Sequence, residues 1–373
     1  MKFLANIHKN KAYNLLVRIV IILATYFFVY KKLFHSPSLS EISNIWNSTS
    51  GLSVFEKIYG ITGLFFTPKT DFIIFFKDVF KDPNLYLFGI WVLILMVVNW
   101  GIESLKWQFL INKIENVSFF KSFEAVLSGV SVSIFTPNRI GEWFGRVFIL
   151  KKSNPWKGVF ITMIGSFSQL LITLIVGSIS LAFYVPIYFK DHGIYSNYLL
   201  YGLIFLVIVI IGTSLLVFLN ITSLPLFLSR ILHKRFVHFN DYVSVISDYS
   251  GLELLTVLLL SFLRYCVFTL QFYILLMMFS IEIPLLHGLM IISLIFFIMT
   301  AIPTVTMAEL GVRGSVSLYF IDLYFAKFGA MTENIDIGVV SSTSTLWLIN
   351  LAVPAILGTF FVYRLNFFRK RSS

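Results

Sequence analysis

The sequence has few charged residues and only one cysteine. Charged side chains make up 13% of the 373 residues, about half of the roughly one quarter that soluble domains carry. Hydrophobic residues make up 58% and aromatic residues 17%, and the mean hydropathy is +0.87. This balance excludes an ordinary soluble domain and predicts an all-α, polytopic bundle of transmembrane helices.

The chain also lacks the residue patterns of common catalytic and metal sites. Cys266 is the single cysteine, so neither an intrachain disulfide nor a cysteine-based metal site can form. The six histidines fall in no metal-ligand spacing, and the sequence contains no H-E-x-x-H, G-x-S-x-G or P-loop motif. We therefore expect no enzyme activity, no metal and no cofactor.

The formal net charge is +11, and the basic residues lie next to apolar runs. This placement favours contact with anionic lipid headgroups and control of topology over nucleic-acid binding. The basic segments 139–157 and 369–371 are expected in the cytoplasm, and the acidic segment 321–336 and the loop 35–84 outside. The first apolar run ends without small residues, which predicts an uncleaved span. The sequence thus predicts a plasma-membrane protein with cytoplasmic N- and C-termini.

Six apolar runs are long enough to cross a bilayer, which takes about 20 residues. They are 12–34, 85–105, 158–188, 198–219, 253–280 and 337–364. Two further apolar regions, 119–152 and 285–326, are interrupted by Pro, Gly and charged residues. Each is expected to enter and leave on one side of the membrane, either as a re-entrant hairpin or as a pair of full spans, so eight to ten apolar segments are predicted.

The chain shows no composition shift and is expected to form one membrane domain, 1–373. Residues 1–84 would hold the first span and an external loop, 85–219 a first half and 253–365 a second half. Apolar residues at helical spacing in 71–80 predict an interfacial helix. Residues 227–249 are expected to form a second interfacial helix, and 102–118 a cytoplasmic segment.

The two interrupted regions carry similar patterns. In the first, Pro137 is followed by Glu142 and Arg146; in the second, Pro303 is followed by Glu309 and Arg313. Because one region is expected to open to the cytoplasm and the other to the outside, the pattern indicates an inverted internal repeat with both breaks near the bilayer centre. Paired broken segments in inverted halves are typical of a transporter's substrate site.

The charged residues in these segments have two interpretations. Glu and Arg four residues apart on a helix can pair, and the planar fork of Arg suits a phosphate group. Alternatively, Arg139 and Arg146 anchor the chain to lipid headgroups, and Glu309 and Arg313 form a structural ion pair. Arg264, near the middle of a predicted span, is a functional candidate or a structural partner of Glu142 or Glu309. Polar residues expected to make interhelical hydrogen bonds are Asn99, Gln169 and Gln271.

The segment from Thr136 to Arg146, TPNRIGEWFGR, resembles the first motif of a flippase-like family. This family comprises the transmembrane region of lysylphosphatidylglycerol synthetases and its stand-alone relatives. Its first motif usually reads T-P-G-R-x-G-E followed by Arg. Residues Arg139, Gly141, Glu142 and Arg146 match this pattern, and Asn138 replaces a Gly.

The segment that begins at Ile302, IPTVTMAELGVRG, is similar to the family's second motif. That motif usually reads P-x-x-G-G-x-G-x-R-E. Residues Pro303, Gly311 and Arg313 match, whereas the tandem Gly is absent and Glu309 lies upstream of the Arg. The resemblance extends over roughly residues 85–365.

The resemblance implies a protein that binds an anionic lipid or lipid-linked group and moves it between leaflets. The candidate substrate-binding residues are Pro137, Asn138, Arg139, Gly141, Glu142, Arg146, Arg264, Pro303, Thr304, Glu309, Gly311 and Arg313. No aminoacyl-transferase domain is expected after Arg364, which disfavours aminoacylation of a lipid. The alternative is a non-transporting membrane subunit or scaffold of a lipid or envelope-glycan biosynthetic enzyme. Partnership with that enzyme, or with further copies of the chain, stays open.

The charge pattern makes a testable prediction about topology. In a variant with Cys266 replaced by Ser, Gly60→Cys should react with a membrane-impermeant maleimide added to intact cells. The reason is that the 35–84 loop carries more acidic than basic residues and should lie outside. Labelling that requires permeabilised cells would contradict the predicted orientation.

Overall fold

A computed structural model describes residues 37–48, 72–189, 196–223, 242–302, 306–329 and 334–364. It also describes a few single positions: Leu23, Phe27, Tyr30, Lys31, Leu33, Phe34, Glu56, Thr62, Gly63 and Pro225. Every secondary-structure element in these ranges is helical, which confirms the all-α fold class. The predicted first span, 12–34, lies almost wholly outside the described residues. Only 242–249 of the second predicted interfacial helix is described, and it contains a short 3₁₀ turn, Ser244–Asp248.

Twelve α-helices are described in these ranges. They are α1 (Leu39–Ser48), α2 (Phe72–Lys81), α3 (Leu85–Ile111), α4 (Phe119–Ser133), α5 (Gly141–Val147), α6 (Pro155–Phe189), α7 (Asn197–Leu219), α8 (Gly251–Met278), α9 (Leu285–Ala301), α10 (Thr306–Phe328), α11 (Ile335–Trp347) and α12 (Val353–Arg364). A π-helical turn, Leu348–Ala352, joins α11 to α12.

Five helical segments within the described residues are long and apolar enough to cross a membrane. They are Leu85–Ile111, Pro155–Tyr188, Asn197–Leu219, Gly251–Met278 and Ile335–Val362. They correspond to five of the six predicted spans, and helix α2 confirms the helix predicted at 71–80. One boundary was wrong: α3 continues to Ile111, so the expected cytoplasmic segment 102–118 begins as membrane helix.

Two helices begin with a reciprocal capping box. In α1, the Ser38 hydroxyl accepts from the Glu41 N–H at 3.3 Å, and the Glu41 carboxylate accepts from the Ser38 N–H at 3.1 Å. Ser250 and Glu253 make the same pair of bonds at the start of α8, at 3.3 and 2.8 Å. Each box satisfies two backbone donors that helix geometry leaves without intrahelical partners, and so fixes where the helix starts.

The first interrupted region folds as a hairpin. Helix α4 ends at Ser133, and the chain reverses through a turn in which Asn138 and Arg139 have φ of 51° and 56°. Asn is among the side chains that best tolerate this left-handed region, which explains how it can replace Gly there. Helix α5 has seven residues and extends only about 10 Å, a third of the roughly 30 Å bilayer core. Of the two expected arrangements, its length fits a re-entrant hairpin and not a second full span.

Three glycines let the two arms of the hairpin touch. A Cβ added at Gly141 would lie 2.6 Å from the Val132 carbonyl oxygen. A Cβ added at Gly145 would lie 2.6 Å from the Gly129 Cα. The contacts run in opposite directions along the two helices, so the arms are antiparallel, and only residues without side chains allow this approach.

The second interrupted region is broken where predicted, but its arms are longer. Helix α9 ends at Ala301, and Ile302 is extended, with φ −100° and ψ 109°. Pro303 and Thr304 lie outside the described residues. Helix α10 has 23 residues, or about 35 Å, which is enough to cross a bilayer. The two regions therefore share a motif but not the length of the arm that follows the break.

The described residues belong to two compact units. One contains 89–275, 283–306 and 345–373, and the other contains 276–282, 307–344 and the described residues before 89. In the larger unit, Gly358 of α12 packs against the Leu127 carbonyl of α4, and the Ser131 hydroxyl donates to the Ala355 carbonyl. In the other unit, Gly338 of α11 packs against the Phe279 carbonyl. Small residues at these crossings allow the close helix packing typical of membrane proteins.

A carboxylate in the loop before α4 fixes the far end of the hairpin. Glu115 accepts hydrogen bonds from the backbone N–H groups of Lys151, Lys152 and Ser153, at 2.9, 2.9 and 3.0 Å. Burial alone would raise the pKa of Glu115, but these three donors outweigh it and lower the pKa below its ordinary value of 4.5. The loop that follows α5 is therefore tied to the loop that precedes α4.

Gly145→Ala should lower the free energy of unfolding by about 2 kcal/mol, the usual cost of overpacking a tight contact. The added methyl group would meet the backbone of Gly129, which cannot move unless the hairpin opens. The thermal unfolding midpoint in detergent measures this change. Gly89→Ala is the matched control, because no atom lies within 4 Å of its added Cβ. Equal midpoints for the two variants would contradict the proposed close approach.

The Glu115 contact should depend on pH. Because the folded-state pKa lies below 4.5, the contact stabilises the fold above pH 4.5 and is lost as the pH falls through the folded-state pKa. Glu115→Gln should cost about 1 kcal/mol at pH 7, and its difference from wild type should shrink below pH 4.5. Thermal midpoints at both pH values test this, with the exposed Glu282→Gln as control. A difference that stays constant with pH would be inconsistent with a titrating carboxylate.

Candidate functional site

Polar residues form a stripe on each of two membrane helices in the larger unit. On α3, Asn99, Glu103 and Lys106 are spaced i, i+4, i+7, and all three side chains are buried. On α8, Ser261 and Arg264 are spaced i, i+3. Such spacing places side chains on one helix face. The two stripes meet, because Lys106 donates to Ser261 and Glu103 pairs with Arg264.

The Glu103 carboxylate lies at the centre of a buried group of charges. Its Oε1 accepts from Arg146 Nη1 at 2.7 Å. Its Oε2 lies 2.8 Å from Lys106 Nζ and 3.2 Å from Arg264 Nη1. Arg146 also pairs through Nη2 with Glu142 at 3.1 Å. We call these five residues, Glu103, Lys106, Glu142, Arg146 and Arg264, the Glu103 cluster.

Lys106 is fully engaged inside the bundle. Besides Glu103, its ammonium group donates to the Gly165 carbonyl at 3.1 Å and to the Ser261 hydroxyl at 3.3 Å. The hydroxyls of Ser261 and Ser168 share a 2.7 Å hydrogen bond. An ammonium group has three N–H donors, and three acceptors surround it here. The contacts tie α3 to α6 and α8.

Arg146 reaches Glu103 because the hairpin brings α5 deep into the bundle. Its side chain is 4% exposed, and its stem passes directly over Gly129, where an added Cβ would lie 2.8 Å from Arg146 Cγ. The Trp143 indole N–H donates to Ser166 at 3.0 Å and holds α5 against α6. The Gly141 N–H at the start of α5 donates to the Thr136 hydroxyl at 2.8 Å. The break therefore uses this donor internally, and the buried Arg146 does not fit the alternative interpretation in which it anchors the chain to lipid headgroups.

Arg264 is held less tightly than the other two cations. Its side chain is 20% exposed, compared with 1% for Lys106 and 4% for Arg146. Gln169 accepts from its Nη1 at 3.5 Å, and its guanidinium carbon lies 5.3 Å from the centre of the Trp100 ring, a cation–π distance. The Glu103 cluster contains three cations and two carboxylates. One positive charge is therefore in excess.

A buried chain of amides connects α3 and α8 through the turn between α11 and α12. Asn99 donates to Asn350 at 3.4 Å, Asn350 donates to Gln271 at 2.8 Å, and Gln271 donates to the Val92 carbonyl at 2.8 Å. Asn350 lies in the π-helical turn between α11 and α12. These bonds confirm the interhelical role predicted for Asn99 and Gln271. Gln169 on α6 also makes an interhelical bond, to Arg264 on α8 at 3.5 Å, so its predicted role is confirmed as well.

The second motif forms an ion pair of its own in the other unit. Glu309 Oε1 lies 2.6 Å from Arg313 Nη2, and both side chains are buried. Gly311, two residues after Glu309 on α10, is also buried. The pairing of Glu and Arg four residues apart is thus confirmed in both motifs.

Three members of the Glu103 cluster were candidates from the sequence: Glu142, Arg146 and Arg264. Glu103 and Lys106 were not predicted, because both lie in the expected cytoplasmic segment 102–118, although Glu103 also lies inside the predicted span 85–105. The partner of Arg264 was sought among Glu142 and Glu309, and the structure gives Glu103. The i, i+4, i+7 spacing of polar residues from Asn99 to Lys106 was the available signal.

These features define a class of protein: a multi-pass helical membrane protein with a re-entrant hairpin that carries a charge into the bundle. A family model described as "Lysylphosphatidylglycerol synthase TM region" matches residues 15–332, and the chain belongs to this family. No curated protein and no solved structure matches the chain. The resemblance found in the two broken motifs is thereby confirmed, and the family supports a role in lipid modification or transport.

Proposed function

We propose that the protein binds the anionic group of a lipid or lipid-linked molecule and moves it between the two leaflets. The observation that carries this proposal is the excess positive charge of the Glu103 cluster. An ionised side chain near the bilayer centre costs about 3 kcal/mol by insertion scales. A positive side chain without a matching negative charge is therefore expected to have a function, such as binding an anion. The abundant anions of a membrane are lipid headgroups.

The position of Arg264 supports this role. It lies near the middle of the 28-residue helix α8, about 20 Å from either end. Its guanidinium group can present two parallel N–H donors to a phosphate. A cation at that depth lowers the barrier that a phosphate group meets at the bilayer centre.

The remaining assignments rest on sequence and family. We propose that the protein resides in the plasma membrane with both termini in the cytoplasm, because its basic segments should remain on that side. Helix α2 would lie at the interface: Ile73, Ile74 and Phe80 are exposed, as expected for a face turned to lipid. No catalytic step is proposed, and the protein acts by binding and translocation.

Leaflet exchange in proteoliposomes tests the proposal. The wild type should move phosphatidylglycerol carrying a fluorescent acyl chain, measured as the fraction that dithionite in the external buffer can bleach. Arg264→Gln should slow this exchange about tenfold or more, the effect of losing one charge-assisted hydrogen bond. Arg264→Lys should rescue only part of the rate, because Lys offers a point charge without a fork.

Lys113→Gln is the matched control. It also removes a cation from an ion pair, Lys113 with Glu253 at 2.7 Å, but it lies outside the Glu103 cluster and should leave exchange unchanged. Each variant is checked for yield and monodispersity. Equal rates for wild type and Arg264→Gln would reject Arg264 as the binding residue. Absence of exchange by the wild type would favour the alternative, a non-transporting subunit of a biosynthetic enzyme.

A further inference from the structure

We propose that Glu103 is an internal counter-anion that the ligand displaces from Arg264. This inference rests on the proposed function and specifies its binding step. In the structure, Glu103 pairs with the Arg264 guanidinium group, to which an anionic phosphodiester would bind. Binding then exchanges one anion for another at Arg264, and Glu103 sets the affinity by competition.

Arg264 is the member of the cluster that can change partners. Its ion-pair distance to Glu103 is the longest of the three at this carboxylate, 3.2 Å against 2.7 and 2.8 Å. Its contact with Gln169, at 3.5 Å, is at the limit of a hydrogen bond. It is also the most exposed cation of the cluster. A ligand can therefore reach Arg264 and replace weak contacts with strong ones.

Glu103 stays compensated when Arg264 leaves. It keeps Arg146 at 2.7 Å and Lys106 at 2.8 Å, so the exchange does not create a buried carboxylate without a partner, which would cost several kcal/mol. Arg146 and Lys106 are poor ligand-binding groups for the same reason. Arg146 is held by two carboxylates, and each N–H of Lys106 has an acceptor within 3.3 Å. Both act as positioning residues that keep Glu103 in place.

The charge balance specifies the ligand. With one negative charge bound, three cations face three anions and the cluster becomes neutral. A phosphodiester carries a single negative charge, whereas a terminal phosphomonoester carries about −1.5 to −2 at pH 7. The cluster should therefore prefer a phosphodiester headgroup to a phosphomonoester headgroup. A phosphodiester group occurs both in lipid headgroups and in soluble molecules, so the experiment must distinguish a lipid ligand from a soluble one.

The test measures binding to the purified full-length protein by fluorescence anisotropy in detergent micelles. The probes are phosphatidylglycerol, phosphatidic acid and phosphatidylcholine, each with the same fluorescent acyl chain. The informative variant is the double substitution Glu103→Gln with Lys106→Met. It removes one anion and one cation together, so the net charge of the cluster is unchanged, and paired removal of buried charges is better tolerated than removal of one partner.

The double variant should bind phosphatidylglycerol about tenfold more tightly than wild type, because Arg264 has lost its internal competitor while the net charge is constant. Arg264→Gln should reduce phosphatidylglycerol binding to the level of phosphatidylcholine, and Glu282→Gln should match wild type. Phosphatidic acid should bind the wild type more weakly than phosphatidylglycerol.

Glycerophosphoglycerol, which lacks acyl chains, is added as a competitor. Displacement of the probe at similar concentration assigns the ligand to a soluble diester, and failure to displace the probe assigns the ligand to the lipid.

A second measurement uses the wild type without altering Glu103. Because Arg264 lies over Trp100, exchange of its counter-anion should change Trp100 emission during titration with unlabelled phosphatidylglycerol. The change should vanish in Trp100→Phe. An emission that does not respond would contradict the exchange even if the double variant failed to fold.

The outcomes separate the two proposals. If the wild type binds phosphatidylglycerol in preference to phosphatidylcholine but the double variant binds it no more tightly, the counter-anion model is wrong and the proposed function survives. If neither protein prefers phosphatidylglycerol, the proposed function is wrong, and the counter-anion model falls with it.

Discussion

The larger unit depends on one carboxylate, Glu103, that contacts three cations. In a low-dielectric bundle each of Lys106, Arg146 and Arg264 would repel the others strongly, and Glu103 lies within 3.2 Å of all three. The cations come from three different helices, so this single group holds α3, α5 and α8 together. Breaking a buried pair by removing one partner typically costs about 3–5 kcal/mol. The same carboxylate therefore determines both how these helices pack and how the charges of the site are balanced.

The hairpin allows Arg146 to reach Glu103. Arg146 is on a seven-residue helix that cannot cross the membrane, and it reaches Glu103 only because α5 lies directly against α4. Gly129 and Gly145 allow that approach, since a Cβ on either would meet the opposite arm at under 3 Å. The left-handed turn at Asn138 and Arg139 reverses the chain in few residues. The glycines and the asparagine of this motif thus allow the chain to place the charge of Arg146 inside the bundle.

Much of the fold could be predicted from sequence, because hydropathy reports burial in lipid directly. Local pairs were also predictable: Glu142 and Arg146 are four residues apart, and helix geometry alone brings them together. The capping boxes at Ser38 and Ser250 could have been found by the same reasoning. The pairing of Arg264 with Glu103 is different in kind. It joins residues far apart in the chain, and the span predicted from hydropathy ended at 105, two residues after Glu103 and directly before Lys106. A rule that treats charges as the end of a span will miss those that a bundle compensates internally.

The two motifs show how one sequence pattern can serve different ends. In the first, Arg146 uses one nitrogen for Glu142, within its own short helix, and the other for Glu103 on α3. The local pair orients the guanidinium group, and the long-range bond fixes the hairpin in the bundle. In the second, Glu309 and Arg313 make the same local pair at 2.6 Å, but on a helix of 23 residues. The repeated motif therefore orients an arginine by pairing it with a glutamate one turn earlier in the same helix. What the arginine then does depends on the length of the helix that carries it and on the carboxylates of its neighbours.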